Sequence, residues 1–329
     1  MRVLVIGAGA IGGWLAGVLV RGGAEVSVLA RGATLAALRS EGLTLLHGDR
    51  RETLRLPASD RAADLGQPDA VVLAVKTNGF ADAVASAAST FAHGPLVVTA
   101  MNGLPWWFLS GFVGPLENQC LEAADPGGRA AALLASARPL AAVVHTSARA
   151  LSPGIIRVHA VDRLIVGQPD GPTSPATAAF ARIVEAGGVA CPISPVIRAE
   201  IWAKLWGNMN MNPVSALTRR TANGILGDPA LLGLIRDMMT EFVRIGARIG
   251  ITLPMTVDDR LVITRKLGDF RTSMLNDIEA GRPLEVEGLL GVVVEMADKL
   301  RDPAPASRAV YALARAINPV VTTDAGMNS

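Results

Sequence analysis

Three polar side chains recur at one-turn spacing in residues 201–213. Lys204, Asn208 and Asn212 occupy positions i, i+4 and i+8, so a helix would carry all three on one face. Asparagine is an unfavourable helix residue, because its amide competes for backbone hydrogen bonds. Two explanations remain open. Either the helix frays before Pro213, or a cation and two amides converge on a polar ligand, which would make this stretch a catalytic or binding site.

The composition limits the classes of function. Half of the 329 residues are apolar, enough for the cores of one large domain or two ordinary ones. The net charge is +2 and the basic residues form no run, so we expect no nucleic-acid partner. Two distant cysteines and four isolated histidines give no metal-binding pattern and suit a reducing cytoplasm.

The uncharged stretch 3–20 resembles a signal peptide or a membrane span. It contains five glycines, however, and its residues change from a strand pattern to a helix pattern. We therefore expect no membrane association and a cytoplasmic protein.

A glycine-rich turn follows the first buried strand, predicted at residues 2–6. The turn is followed by a helix and by a second strand at 25–29, the order of the dinucleotide-binding fingerprint. Its residues are Gly7, Ala8, Gly9, Ala10, Ile11 and Gly12. Gly7 would make the tight turn, Gly9 would let the pyrophosphate approach, and Gly12 would let the helix pack on its strand. The N–H groups at the start of the helix would face the phosphates.

The end of the second strand selects the cofactor. An NAD site usually carries an acidic residue there, whereas this chain has Arg31, which could contact a 2′-phosphate. We therefore predict NADP(H), although Arg31 as a solvated loop charge is the alternative. Lys76 and Asn102 follow later strands, at the sheet edge where ligands gather. Their alternatives are an exposed lysine and a simple Asn-Gly turn.

The rest of the first half continues the alternation of strands and helices. A strand pair is predicted at 43–46 and 53–56, further strands at 142–145, 154–158 and 164–166, and a last strand at 189–193. Residues 118–129 have the composition of a surface insertion. The run Pro105, Trp106, Trp107 and Phe108 could cover the nicotinamide, but we favour a core position for it.

After residue 195 the sequence pattern predicts almost no strands. Amphipathic helices are predicted at 196–217, 231–249, 256–267, 273–280, 285–300 and 306–317, separated by Gly and Pro. The predicted fold class is α/β, with an N-terminal Rossmann-type dinucleotide-binding domain (1–195) and a C-terminal all-helical domain (196–329). We expect cofactor and substrate to meet in a cleft between the domains. The helical domain could also form a homodimer.

Four ordered motifs resemble the ketopantoate reductase (2-dehydropantoate 2-reductase) family over nearly the whole chain. They are the turn Gly7 to Gly12, then Lys76 with residues 101–103, then residues 198–205 leading to Asn208 and Asn212, and finally residues 272–277 leading to Glu285. The resemblance implies NADPH-dependent reduction of a small 2-oxo acid, most simply 2-dehydropantoate to pantoate. Departures at residues 105–108, at 125–128 and at Leu290 put the identity of the oxo-acid in doubt.

The resemblance also implies roles for individual residues. Lys204 would be the proton donor, and Glu285 would be the carboxylate near the reacting centre. The substrate-binding residues would be Asn208, Asn212, Ser273 and, with an uncertain register, Asn223. Cofactor contacts would come from the glycine turn, Lys76, Asn102 and, in a loosely aligned region, Ala148.

Other interpretations stay open. Lys204 could be a surface lysine, Ser273 a helix cap and Glu285 an ordinary acid in the first turn of a helix. At the level of the whole chain, the alternatives are a related dehydrogenase acting on a bulkier oxo-acid or imine, and an NADP-binding sensor without catalysis.

Overall fold

The computed structural model describes residues 1–169 and 173–319. The chain divides into two compact units. The first contains residues 1–111 and 124–201, and the second contains residues 112–123 and the chain from Trp202 onward. The roles predicted for residues 1–195 and 196–329, and the cleft expected between the domains, stay predictions.

The first unit alternates strands with helices. Its strands are β1 (Arg2–Ile6), β2 (Glu25–Leu29), β3 (Leu43–His47), β4 (Arg50–Leu54), β5 (Ala58–Ser59), β6 (Ala70–Leu73), β7 (Leu96–Thr99), β8 (Arg138–Ser152) and β9 (Ile155–Gly167). Its helices are α1 (Ala10–Arg21), α2 (Gly32–Ser40), α3 (Phe80–Ser86), α4 (Arg129–Leu133) and α5 (Pro175–Ala186). Among the described residues these strands form one sheet in the order β4-β3-β9-β8-β7-β6-β1-β2-β5. The parallel part, β5-β2-β1-β6-β7-β8, has the strand order of a dinucleotide-binding sheet.

Strand β1 is an interior strand of this sheet, between β6 and β2, and is apolar on both faces. Val3 and Val5 belong to the core on the α1 side, whereas Leu4 and Ile6 belong to the core that contains α3 and α4. Side chains alternate along a strand, and a parallel sheet is covered on both faces. A continuous apolar run is therefore what this position requires.

The later strands differ from those predicted. The strands predicted at 154–158 and 164–166 belong to one strand, β9 (Ile155–Gly167), which pairs with β8 in a long antiparallel hairpin. Strand β4 begins earlier than predicted, at Arg50, because a two-residue turn replaces the longer one. The predicted strand at 189–193 is wrong, since only isolated bridges at Ala190 and Ile193 connect it to β9.

The segment predicted as a surface insertion, 118–129, is partly ordered by a buried acid. The Asp125 carboxylate is 1 % exposed and accepts hydrogen bonds from the N–H groups of Ala130 and Ala131, at 2.9 and 2.8 Å. It thereby satisfies free amides at the N-terminus of α4. Composition alone had suggested a loop, because Asp125 lies beside a proline and two glycines.

The aromatic run packs as core. Trp107 and Phe108 are buried, and Trp106 stacks on Phe80 with ring centroids 5.9 Å apart. The Arg198 guanidinium lies 5.7 Å from the Trp107 ring centroid. It also donates hydrogen bonds to the carbonyls of Phe108 and Ser110. Arg198 and Phe80 therefore fix this run in place.

The second unit is helical. It contains most of α6 (Ile197–Thr218), then α7 (Ala222–Leu226), α8 (Pro229–Arg248), α9 (Val257–Lys266), α10 (Ser273–Glu279), α11 (Val292–Leu300) and α12 (Pro305–Ala316). Trp202 stacks on Phe242 at 4.0 Å, and the Trp206 indole donates to the carbonyl of Met239 at 3.2 Å. These contacts attach α6 to α8. The predicted fold class, a Rossmann-type domain followed by a helical domain, is confirmed.

Two helical segments next to the predicted site residues Asn212 and Glu285 are irregular. Helix α6 continues through Pro213 to Thr218, so the helix does not fray at Asn212. A π-helical turn (Glu287–Gly291) precedes α11, and such turns are frequent at functional sites. In the described ranges no helix has the length and apolar character needed to cross a membrane.

Candidate active site

The glycine turn connects β1 to α1 within close packing. A Cβ atom on Gly12 would lie 1.9 Å from the Gly7 carbonyl oxygen and 3.0 Å from the Cβ of Ala74. Gly7 adopts a φ of +93°, which favours glycine. A Cβ on Gly9, by contrast, would meet no atom of the chain within 4 Å. Gly7 and Gly12 therefore serve the fold, whereas Gly9 leaves open space in front of the helix.

The N-terminus of α1 offers its amides to a ligand. Gly9 is the N-cap, no side chain caps the helix, and its first turn contains no acidic residue. Ala8 is buried, and Ala10 and Ile11 are partly buried, so their side chains anchor the turn. Free N–H groups and the positive end of the helix dipole suit a phosphate. The open space at Gly9 and these amides together fit the pyrophosphate of a dinucleotide.

Arg61, which sequence reasoning missed, follows β5, the strand that pairs with the strand before Arg31. Leu29 of β2 pairs with Ser59 of β5, and Arg31 and Arg61 each follow their partner by two residues. Both arginines are exposed. The backbone N–H of Arg61 donates to the Ser59 hydroxyl, which also bonds Asp64 at 2.7 Å. A two-residue strand gives no periodic signal, so the sequence could not have revealed this pair.

The other predicted cofactor residues lie on this sheet. Lys76 follows β6 and Asn102 follows β7, both partly buried. Strands β6 and β7 are parallel neighbours, so Lys76 and Asn102 share the edge at their carboxyl ends. Ala148 lies in the β8–β9 hairpin opposite Val158 and packs against the core on the α1 side.

In the helical unit Lys204 and Glu285 interact through their charges. Lys204 is only partly accessible, and burial lowers the pKa of its ammonium group to about 8, while the Glu285 carboxylate raises it. Glu285 is 8 % exposed. An ammonium group with a pKa near working pH can both stabilise negative charge and give up a proton.

Glu285 lies directly before the helical segment that contains the π turn, and its carbonyl accepts from the N–H of Leu289 at 3.2 Å. The preceding residue is fixed by Asn318, whose side-chain oxygen accepts from the Leu284 N–H at 2.8 Å. The amide of Asn318 donates back to the Leu284 carbonyl. These hydrogen bonds fix the backbone at Glu285 and at the residue before it.

The asparagines of α6 have different environments. Asn210 is buried and donates to the carbonyl of Trp206 at 2.5 Å, so its amide is used within the helix. All three asparagines line a cavity of about 160 Å³ inside the helical unit, but Asn208 and Asn212 are the two that the sequence analysis named as site residues. The structure therefore places two of the three predicted α6 residues, Asn208 and Asn212, at a cavity, and Lys204 one turn before them.

The remaining predicted substrate residues lie at helix starts. Thr272, and not Ser273, caps α10 by accepting from the Leu275 N–H at 3.1 Å. The exposed hydroxyl of Ser273 is therefore not the N-cap that the sequence left as an alternative. The exposed Asn223 begins α7, and its N–H donates to the Asp269 carboxylate at 3.1 Å.

The same cavity contains Arg260, a second residue that sequence reasoning missed. Arg260 belongs to α9, which the sequence analysis predicted as an amphipathic helix without naming any of its residues as part of a site. The cavity lies among α6, α8 and α9, so only the packing of these helices identifies Arg260 as an inward-facing residue.

Comparisons with known proteins agree with this geometry. Residues 3–171 match the family described as ketopantoate reductase PanE/ApbA, and residues 196–318 match the family described as ketopantoate reductase PanE/ApbA C terminal. The two matches cover both units.

Individual relatives extend over almost the whole chain. A 2-dehydropantoate 2-reductase from Mesorhizobium japonicum is 38 % identical over 96 % of this chain and 97 % of its own. A crystal structure from Ralstonia solanacearum MolK2, provisionally called a ketopantoate reductase, has a TM-score of 0.90 and 40 % identity over 96 % of this chain and 97 % of that one. The 2-dehydropantoate 2-reductase from Methylococcus capsulatus has a TM-score of 0.82 and 27 % identity, with 96 % of each chain covered.

Proposed function

Because the chain belongs to the ketopantoate reductase family, we propose that it reduces 2-dehydropantoate to pantoate with NADPH. The predicted class, an NADP-dependent oxidoreductase, follows from this membership. The observation that most supports the reaction is Lys204, partly buried with its pKa lowered to about 8 near Glu285. Residues 1–195 would hold the cofactor, and residues 196–329 would hold the substrate and supply the proton.

In this proposal each residue has a physical task. The bound nicotinamide supplies hydride to C2 of the oxo-acid. Lys204 stabilises the negative charge that develops on the carbonyl oxygen and donates a proton to it. Glu285 keeps Lys204 protonated. Asn208, Asn212, Ser273 and Asn223 offer hydrogen bonds to substrate oxygens and position the carbonyl.

A direct assay tests the proposal. Purified protein with NADPH and 2-dehydropantoate should consume the cofactor and yield pantoate in equal amounts. If neither 2-dehydropantoate nor any branched 2-oxo acid is reduced, the proposal is wrong. If an aromatic or otherwise bulky oxo-acid is strongly preferred, the alternative of a related dehydrogenase is correct. Tight NADPH binding without turnover of any oxo-acid or imine would indicate the sensor.

The rate should depend on pH through Lys204. The proton donor must be protonated, so kcat/KM for the oxo-acid should fall as pH rises through about 8. Replacing Glu285 with glutamine removes the charge that raises the pKa of Lys204, so the midpoint of this decline should move to lower pH. A pH–rate profile of both proteins checks this. An unchanged midpoint in Glu285→Gln would show that Glu285 does not act on the ammonium group.

Arg31 should set the preference for the phosphorylated cofactor. Arg31→Ala removes a charge-assisted contact to the 2′-phosphate, so KM for NADPH should rise about tenfold while KM for NADH stays constant. Arg51→Ala is the matched control, because Arg51 is an exposed arginine on β4, at the opposite edge of the sheet. Equal losses with both cofactors would contradict this role for Arg31.

Three further expectations belong to the proposal. They are a cytoplasmic location, the absence of nucleic-acid and membrane partners, and a homodimer formed through the helical domain. Cys120 and Cys191 form no disulfide with each other, which suits a reducing compartment. Sedimentation of the purified protein would test the dimer.

A further inference from the structure

The helical unit contains a cavity that is suited to binding an anion. The cavity that Asn208 and Asn212 line is bounded on its other sides by α8 and α9 and by residues just after α9. Most of these neighbours are apolar: Met211, Ile235, Met239, Leu261, Leu267 and Phe270. Arg260 is the charged residue in the cavity wall. A pocket with apolar walls and a few polar groups is typical of a site for a small molecule.

The guanidinium group of Arg260 lies against α6. A Cβ on Gly207 would be 2.6 Å from Nη2 of Arg260, so the absence of a side chain at position 207 makes room for this group. The two amides of Asn208 and Asn212 and the guanidinium group thus share one small cavity.

Arg260 has no protein partner among the residues that the structure describes. Its Nε is buried and makes no hydrogen bond, and burial lowers the pKa of the guanidinium group with no carboxylate opposing the effect. The side chain of Arg260 is partly buried, and its Nε has no acceptor among the described residues. An anion that enters the cavity would supply that acceptor and balance the charge.

The cavity lies close along α6 to the proposed proton donor. Gly207, at the cavity wall, follows Lys204 by three residues, which is less than one helical turn. A distal group of a substrate whose carbonyl lies at Lys204 is therefore the nearest candidate for the anion. A distal carboxylate matches the guanidinium group in charge and in hydrogen-bonding geometry.

We propose that this cavity binds a second carboxylate, remote from the reacting carbonyl, through Arg260, so that the protein also reduces 2-oxo dicarboxylic acids. The inference rests on the proposed function. In the reaction C2 receives hydride from NADPH, the carbonyl oxygen receives a proton from Lys204, and the products are the 2-hydroxy dicarboxylic acid and NADP⁺. Lys204 regains its proton from solvent.

Two substrates of equal length test the inference. 2-Oxoglutarate carries the distal carboxylate, and 2-oxopentanoate has a methyl group there. We expect the unchanged protein to show a kcat/KM about 10- to 100-fold higher for 2-oxoglutarate, mainly through a lower KM, because a buried donor that loses its partner discriminates strongly. A ratio near one would overturn the proposal.

Variants assign the preference to Arg260. In Arg260→Gln the ratio should fall to within a few-fold of one, and Arg260→Lys should restore part of it, since a charge remains without the bidentate fork. Lys266→Met is the matched control, because Lys266 is exposed on the same helix, and it should keep the full ratio. A ratio that survives in Arg260→Gln would contradict the assignment.

Binding provides a second measurement that does not require turnover. Glutarate, which lacks the oxo group, should raise the melting temperature of the unchanged protein and not that of Arg260→Gln. If glutarate stabilises neither protein, the distal site is wrong whether or not 2-dehydropantoate is reduced. If glutarate stabilises only the unchanged protein but no oxo-acid is reduced, the reductase proposal fails and the anion site stands.

Discussion

Replacing Lys204 with alanine is expected to lower kcat about 10³-fold and to leave NADPH affinity unchanged. The variant loses both the cation that stabilises the developing oxyanion and the acid that protonates it. Removing the partly buried ammonium group relieves its desolvation cost, but it leaves the Glu285 carboxylate, which is 8 % exposed, without this cation. Thermal unfolding of the variant should therefore be measured beside the kinetics. Steady-state kinetics and NADPH titration measure the two quantities.

Two further variants sharpen this experiment. Lys204→Arg keeps a cation but cannot release a proton at working pH, because arginine stays charged. It should therefore retain oxo-acid binding better than turnover. Lys266→Ala removes an exposed lysine from the helical unit and should leave kcat unchanged. If Lys204→Ala still turns over at a comparable rate, Lys204 is not the proton donor.

The second large effect is expected when Gly9 or Gly12 is replaced with alanine. The Gly9 variant should lose NADPH affinity, whereas the Gly12 variant should lose stability. Gly9→Ala places a methyl group where no atom of the chain lies within 4 Å, so the melting temperature should stay the same. NADPH affinity should fall about 10- to 100-fold, because the methyl group occupies the space of the pyrophosphate. Gly12→Ala places a methyl group 1.9 Å from the Gly7 carbonyl oxygen. It should therefore cost about 1–3 kcal/mol of unfolding free energy, or more.

Thermal unfolding and cofactor titration separate these outcomes. Gly233 provides the control, because it lies in α8 and a Cβ there meets no atom within 4 Å. Gly233→Ala should change neither NADPH affinity nor turnover, and should stabilise the helix slightly. A Gly9→Ala protein that binds NADPH as tightly as the unchanged protein would contradict the placement of the pyrophosphate at this turn.

Much of the architecture was readable from short stretches of sequence. The turn Gly7 to Gly12 lies between a buried strand and a helix, as its spacing indicates, because the steric demands on these glycines arise within a few residues and from an adjacent strand. The helices after residue 195 were predicted to within a few residues where the hydrophobic period was long. Helix α9 was predicted to within one residue at each end, and the predicted start, Thr256, is the N-cap residue whose hydroxyl caps the helix.

The differences occurred where packing decides burial or pairing. Asp125 lies in a loop, as its neighbours proline and glycine indicate, but its burial and its hydrogen bonds to the amides of α4 have no signal in the composition. The strand predicted at 189–193 has the apolar pattern but makes only isolated bridges to β9, at Ala190 and Ile193. The π turn near Glu285 has no sequence signal either.

The sequence by itself determined the glycine-rich turn between β1 and α1, the order of the two folds and the one-turn spacing of Lys204, Asn208 and Asn212. Each of these depends on backbone geometry over neighbouring residues, which local spacing encodes. Only the tertiary structure decided the lowered pKa of Lys204, the pairing of β2 with β5, the strands that precede Arg31 and Arg61, and the position of Arg260 at a cavity. Burial and charge proximity depend on which distant elements pack together, and residue spacing along the chain does not contain that information.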